Sequence, residues 1–160
     1  MNQSVVAKVQ ELSDRADLID LIHRYASCID SRDLEGLVAC FRPDAIAHYN
    51  GGETRLSGHL ELQQWFQTML AGDPAAREAS MIHSFTNITI ALAGDSAEVN
   101  SVGFVHVAPA DNTDSITVRG LRYQDKCYRT PQGWLIGERR HHACLAFSAV
   151  GRPIAEARRG

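Results

Sequence analysis

The stretch ITVRGLRYQDKCYRTPQGWLIGERRHHACLAF, residues 116–147, decides the fold. Two long segments rich in β-branched and aromatic residues, Ile116 to Arg129 and Trp134 to about Phe147, flank Pro131-Gln132-Gly133, whose residues supply the φ angles of a tight turn. Working backward, His83 to Ala91 and Glu98 to Val107 show the same alternating texture around Gly94-Asp95. No helical segment separates these four strands, so they pair as a long antiparallel sheet and not as parallel strands joined by crossovers.

The first half reads differently. Leu18, Leu21, Ile22, Tyr25, Ala26 and Ile29 recur at three- and four-residue steps, the period of one helix face, with Ser13 or Asp14 as the expected cap. A second helix is expected from about Ser31 to Phe41, where Pro43 disfavours its continuation. A third is expected from about Gly58 to Leu70, capped by Ser57, with Leu62, Trp65, Phe66 and Met69 as its apolar stripe. Between the last two, Ala45 to Asn50 and Glu53 to Ser57 flank Gly51-Gly52 and predict a hairpin. The expected architecture is α+β: three N-terminal helices covering the concave face of a curved, cone-shaped antiparallel or mixed sheet that leaves a pocket at its open end. Bulges near Gly103 or Gly120 would supply the bend.

At 160 residues, 44% hydrophobic and 22% charged, the chain is sized and composed as one domain spanning 1–160, with a C-terminal tail from about 148. A formal charge of −3 offers no cationic excess for nucleic acid or anionic lipid, and no run of about 18 apolar residues occurs; the expectation is a cytoplasmic protein without nucleic-acid or membrane partners. Cys28, Cys40, Cys127 and Cys144 lack metal-type spacing and read as buried free thiols. His59-Leu60-Glu61 has the look of two ligands of an iron triad but sits at a helix start, so no metal is expected. His141 and His142 point to opposite faces of a strand and cannot chelate together, and Arg139-Arg140 reads as a solvated or subunit-contact cluster. Leu145, Phe147, Val150 and Ile154 predict self-association, as dimer or trimer.

The run Tyr25-Ala26-Ser27-Cys28-Ile29-Asp30-Ser31-Arg32-Asp33, then Cys40-Phe41-Arg42-Pro43-Asp44-Ala45, His83 before a strand and the final Gly133-Trp134 strand together resemble the nuclear-transport-factor-2-like superfamily, in its SnoaL-like branch. The resemblance implies a cystatin-like α+β cone with an internal cavity. Asp30, Tyr49, His83 and His106 are spaced similarly to the polar set of scytalone dehydratase. The Asp30 and His83 pair also resembles the dyad of hexachlorocyclohexane dehydrochlorinase and bile acid 7α-dehydratase, enzymes that work without a cofactor.

Histidine titrates near neutrality as a residue type, and a carboxylate on its other nitrogen fixes the tautomer and favours the imidazolium. His83 is therefore the expected base and Asp30 its partner; the alternatives are an Asp30 that caps the next helix and a His83 bonded to backbone. Tyr49 and Tyr25 are expected to donate to a substrate carbonyl, or else to be core tyrosines. His106 would assist the leaving group, or else stand on a solvent-facing rim. Asn87 and Arg119 are further substrate-binding candidates, with a surface position the alternative for Arg119. The expected activity is a dehydratase-type or dehydrohalogenase-type lyase on a small hydrophobic molecule. A non-catalytic ligand-binding or oxygenase accessory subunit, and a polyketide cyclase or ketosteroid-isomerase-like enzyme, are the alternatives.

Overall fold

No glycine or proline interrupts the chain before Gly36, and the first helix starts well ahead of Ser13. In the computed structural model, which describes residues 3–71, 80–108 and 114–151, α1 runs Gln3–Asp30. The pairs Gln10 to Asp14 and Arg15 to Glu11, each one turn apart, tie its early turns together. Asp14 is thus interior to the helix and not its cap.

The end of α1 is set by a Schellman-type closure: Asp33 N–H donates to Cys28 O at 2.8 Å and Arg32 N–H to Ile29 O at 3.1 Å, with Arg32 at φ 59°. Asp33 then caps α2, Leu34–Ala39, accepting from Gly36 N–H at 2.9 Å. The second helix is shorter than expected because β1, Phe41–Tyr49, begins where it was to end, with Pro43 in the irregular stretch between Phe41 and Ile46 where the ladder shifts register. After a 3-10 turn at Asn50–Gly52 come β2, Thr54–Ser57, and α3, Gly58–Ala71, where Glu61 accepts from Ser57 N–H at 2.7 Å. Four long strands follow: β3, Ser80–Ala93; β4, Ser96–Ala108; β5, Ser115–Thr130; β6, Gly133–Val150.

The six strands form one sheet in the order β2-β1-β6-β5-β4-β3. The last four are antiparallel as expected, but β1 runs parallel to β6, so the sheet is mixed. Register shifts occur between Gly120 and Leu121 and between Lys126 and Cys127, where β6 carries an extra residue each time. Gly103, by contrast, lies in regular ladder. It is needed for closeness, since a Cβ there would stand 3.3 Å from the Phe85 ring.

Helix α1 closes the open edge of the sheet. Its buried face, Leu18, Leu21, Ile22, Tyr25 and Ile29, packs into the core with Leu37, Phe41, Leu62 and Phe66. Arg15 Nη1 donates to Ile90 O at 3.0 Å and Asp30 accepts from His83 N–H at 2.8 Å, both on the free side of edge strand β3. Between these two points the helix rises roughly 22 Å and an extended strand roughly 23 Å, so both contacts are made without distorting either element. Strand β6 continues past the expected start of the tail at about 148 to Val150, and Leu145, Phe147 and Val150 are exposed; Ile154 and the other residues from 152 lie outside the described residues. No described helix is long and apolar enough to cross a membrane.

Candidate active site

Because Asp33 caps α2, the Asp30 carboxylate is free to leave its helix and meet β3. Its Oδ1 accepts from His83 Nδ1 at 2.5 Å and its Oδ2 accepts the backbone N–H of the same residue at 2.8 Å. A carboxylate oxygen accepts, so Nδ1 is the donor, and in the neutral imidazole the lone pair is then on Nε2. Nε2 makes no hydrogen bond among the described residues. The His83 side chain is 7% exposed and that of Asp30 26%, which leaves the pair sheltered yet within reach of solvent.

Ladder register shows what shares the inner face with His83. His83 opposes Val105, which opposes Arg119; Phe85 opposes Gly103 and Leu121; Ser101 opposes Tyr123, which opposes His141. From β1, Ala45, Ala47 and Tyr49 are all buried on this side, as their alternation predicts. The Tyr25 and Tyr49 hydroxyls are 3.3 Å apart, Trp65 stacks on Tyr49 with ring centres 4.2 Å apart, and Tyr123 lies edge-on to Tyr25 at 6.1 Å. Burial raises all three phenols above their ordinary titration range, so they remain protonated hydrogen-bond donors.

Beneath these rings is a charged floor that sequence reading missed. Arg139 is fully buried, donating from Nε and Nη2 to the two oxygens of Asp125 at 2.8 and 2.6 Å. Its guanidinium carbon stands 3.9 Å from the Tyr25 ring centre and 4.7 Å from that of Tyr123. The cluster Arg139-Arg140 is therefore divided: Arg140 is exposed and Arg139 is interior, the alternation that a strand imposes. The same parity was legible for His141, which turns inward between Tyr49 and Tyr123, while His142 lines a groove on the outer face.

Two expectations fail on position. His106 opposes Ile82 and Val118, not the inner row, and is exposed on the outer face. It shares strand parity with Glu98, Asn100 and Phe104, which are the outward positions of β4. Asn87 sits at φ 50° in the register shift between Thr86 and Thr89, exposed, lining an outer-face groove of about 420 Å³ with Arg122 and Gln124. Arg119 does share the face of His83, yet its side chain is exposed. His59 bonds Phe41 O at 2.8 Å and Glu61 is held by Ser57, and no group of three metal-ligating side chains occurs among the described residues. Cys28, Cys40 and Cys127 are buried free thiols; Cys144, the extra residue of a bulge, is exposed.

Comparison with known proteins agrees with the fold. The Mycobacterium tuberculosis protein Rv2910c is 29% identical over 137 residues, covering 86% of this chain and 90% of its own. The structure of LinA superposes with a TM-score of 0.77 at 17% identity, over 92% of this chain and 97% of that one. A Novosphingobium aromaticivorans protein assigned as a scytalone dehydratase gives 0.76 at 16% identity, with the same coverage. At these identities the structural likeness concerns the fold, which in another N. aromaticivorans relative, with a TM-score of 0.74 at 22% identity over 98% of this chain and 95% of that one, is described as NTF2-like and cystatin-like. The SnoaL-like domain model matches residues 10–140, from the early turns of α1 to the inward arginine's neighbour on β6, and the chain belongs to the SnoaL-like family.

Proposed function

We propose that the chain is a cofactor-independent lyase in which His83 removes a proton from carbon and Asp30 orients and stabilises it. The observation that carries this reading is the double acceptance by Asp30 from the ring and backbone of His83, which leaves Nε2 as a free base on the inner face. In the elimination, Nε2 takes the proton next to a carbonyl or halogen-bearing carbon, the C–H electrons form the new double bond, and hydroxide or halide departs from the neighbouring carbon. Asp30 stabilises the imidazolium so formed. Of the Tyr25 and Tyr49 hydroxyls, one hydrogen bridges the two oxygens and the other is free to meet a developing enolate oxygen. Arg119, exposed in the row of His83, would bind a polar end of the substrate. The aromatic walls favour a small, largely apolar molecule, and the exposed Leu145, Phe147 and Val150 supply apolar surface for self-association.

The test is a panel of β-hydroxy carbonyl and β-halogenated compounds, followed by release of water or halide. His83→Ala should keep the melting temperature and lose turnover on the order of 10²–10⁴-fold, the contribution of a positioned base. Undiminished turnover in that variant would overturn the reading.

A further inference from the structure

Three buried side-chain polar atoms make no hydrogen bond among the described residues: Ser101 Oγ, Arg139 Nη1 and His141 Nδ1. A buried polar atom left unpaired is costly and rare. These three are not scattered. Ser101, Tyr123 and His141 form one cross-strand row on the inner face, and Arg139 is the next inward position of β6. They mark a polar patch within walls otherwise built from Tyr25, Tyr49, Tyr123 and Phe85.

Within that patch His141 differs from its neighbours. Arg139 is committed to Asp125 through two of its nitrogens, whereas His141 Nδ1 has no hydrogen-bond partner among the described residues. Its ring lies 5.4 Å from that of Tyr49 and 5.1 Å from that of Tyr123, centre to centre, and it is only partly covered. Burial first, and then the Arg139 guanidinium, hold its imidazole down to about 4, and ladder register puts it on the same inner face as His83. At neutral pH His141 is therefore uncharged, with one nitrogen that donates and one that accepts.

We propose that His141 is a substrate-binding and specificity residue of the same site: its free nitrogen hydrogen-bonds an oxygen-bearing group, hydroxyl or carbonyl, on a flat ring compound, so that oxygenated ligands are preferred to halogenated or bare hydrocarbon ones. The proposal rests on the His83 reading only for where the substrate lies; the preference itself is a property of binding. The two imidazoles divide the work. His83, with its carboxylate, takes the proton, and His141, held neutral, holds the oxygen.

The experiment uses the full chain and two probes of nearly equal shape, 2-naphthol and 2-methylnaphthalene, with affinities measured by calorimetry. Wild type should bind the naphthol about 10-fold more tightly, the effect of satisfying one buried group. His141→Phe should remove that preference and, because it deletes an unsatisfied atom, raise the melting temperature of the ligand-free protein. His141→Gln, which restores a donor and an acceptor, should keep part of the preference and serves as the comparison if the phenylalanine variant does not fold. An unchanged preference in both variants, equal affinity of the two probes for wild type, or binding of neither would overturn the proposal. So would a His141→Phe protein that melts earlier and discriminates as before, since the imidazole would then be packing alone. His83→Ala should retain the hydroxyl preference while losing turnover, so a failure of this inference and a failure of the base assignment are separate results.

Discussion

Two aspartates on helix α1 meet the sheet, and their surroundings assign them opposite work. Near the start of the packed part of the helix, Asp14 receives Arg129 Nη1 and Nη2, each at 2.6 Å, Trp134 Nε1 at 3.2 Å and Gln10 Nε2 at 3.1 Å. Arg129 is further held by Asp95, and it stacks over Trp134. At the other end, among the described residues, Asp30 receives only His83, through ring and backbone. Both carboxylates are paired, but an arginine keeps its proton at any working pH, whereas a histidine bonded at Nδ1 presents a basic nitrogen on its far side. The presence of a partner therefore does not mark the chemical carboxylate; a partner with a free proton-accepting atom does.

The largest expected effect sharpens this contrast at Asp30. Asp30→Asn should lower turnover on the order of 10²–10⁴-fold, close to the loss from His83→Ala, with only a small shift in melting temperature. Asp14→Ala should do the reverse. It strands the buried Trp134 donor, a cost of about 1–3 kcal/mol, and should lower the urea midpoint while leaving turnover per folded molecule unchanged. If Asp14→Ala abolished turnover at full stability, the division of labour between the two ends would be wrong.

Acid should separate the regions as well. The Arg129 guanidinium is the main cause that holds Asp14 down at about 2 against an ordinary 3.8, so its contribution is complete above about 3.8 and is lost as pH falls through 2. His141, at about 4 against 6.5, stays neutral in the fold while the unfolded chain binds the proton, so stability also declines as pH falls from about 6.5 to 4. Urea midpoints measured across pH should show both declines, with the upper one missing in His141→Phe and the lower one missing in Asp14→Ala. The smallest effect belongs to the neighbouring cap: Asp33→Ala should cost about 1 kcal/mol, the worth of an N-cap, with turnover nearly unchanged.

Much of this was legible before any coordinates. Alternation and turn residues located all four long strands, and the helical period found the buried face of α1, because both depend on local pattern. The parallel β1 to β6 pairing was not legible, since nothing in two strands far apart in sequence states their relative direction. The early start of α1 was missed although Val5, Val9 and Leu12 recur at helical spacing: these side chains are exposed and reach no core, and side-chain pairs one turn apart tie the early turns together. At the site, Asp30 and His83 were named from resemblance and from the chemistry of a base with an orienting carboxylate. The Asp125 and Arg139 pair was missed because charged residues are ordinarily exposed, and only tertiary pairing permits this burial. His106 was nominated from resemblance, with a solvent-facing position as the alternative that the structure shows, because parity relates residues within a strand but does not say which face is inward.

The claim that Asp30 fixes His83 as a base is tested most directly by nitrogen NMR of histidine-labelled protein, wild type and Asp30→Asn, near neutral pH. For wild type the account predicts a His83 imidazole protonated at Nδ1 and bare at Nε2, with a strongly downfield Nδ1 proton that is lost in Asp30→Asn. A wild-type His83 with its proton on Nε2, or a spectrum that Asp30→Asn leaves unchanged, would contradict it.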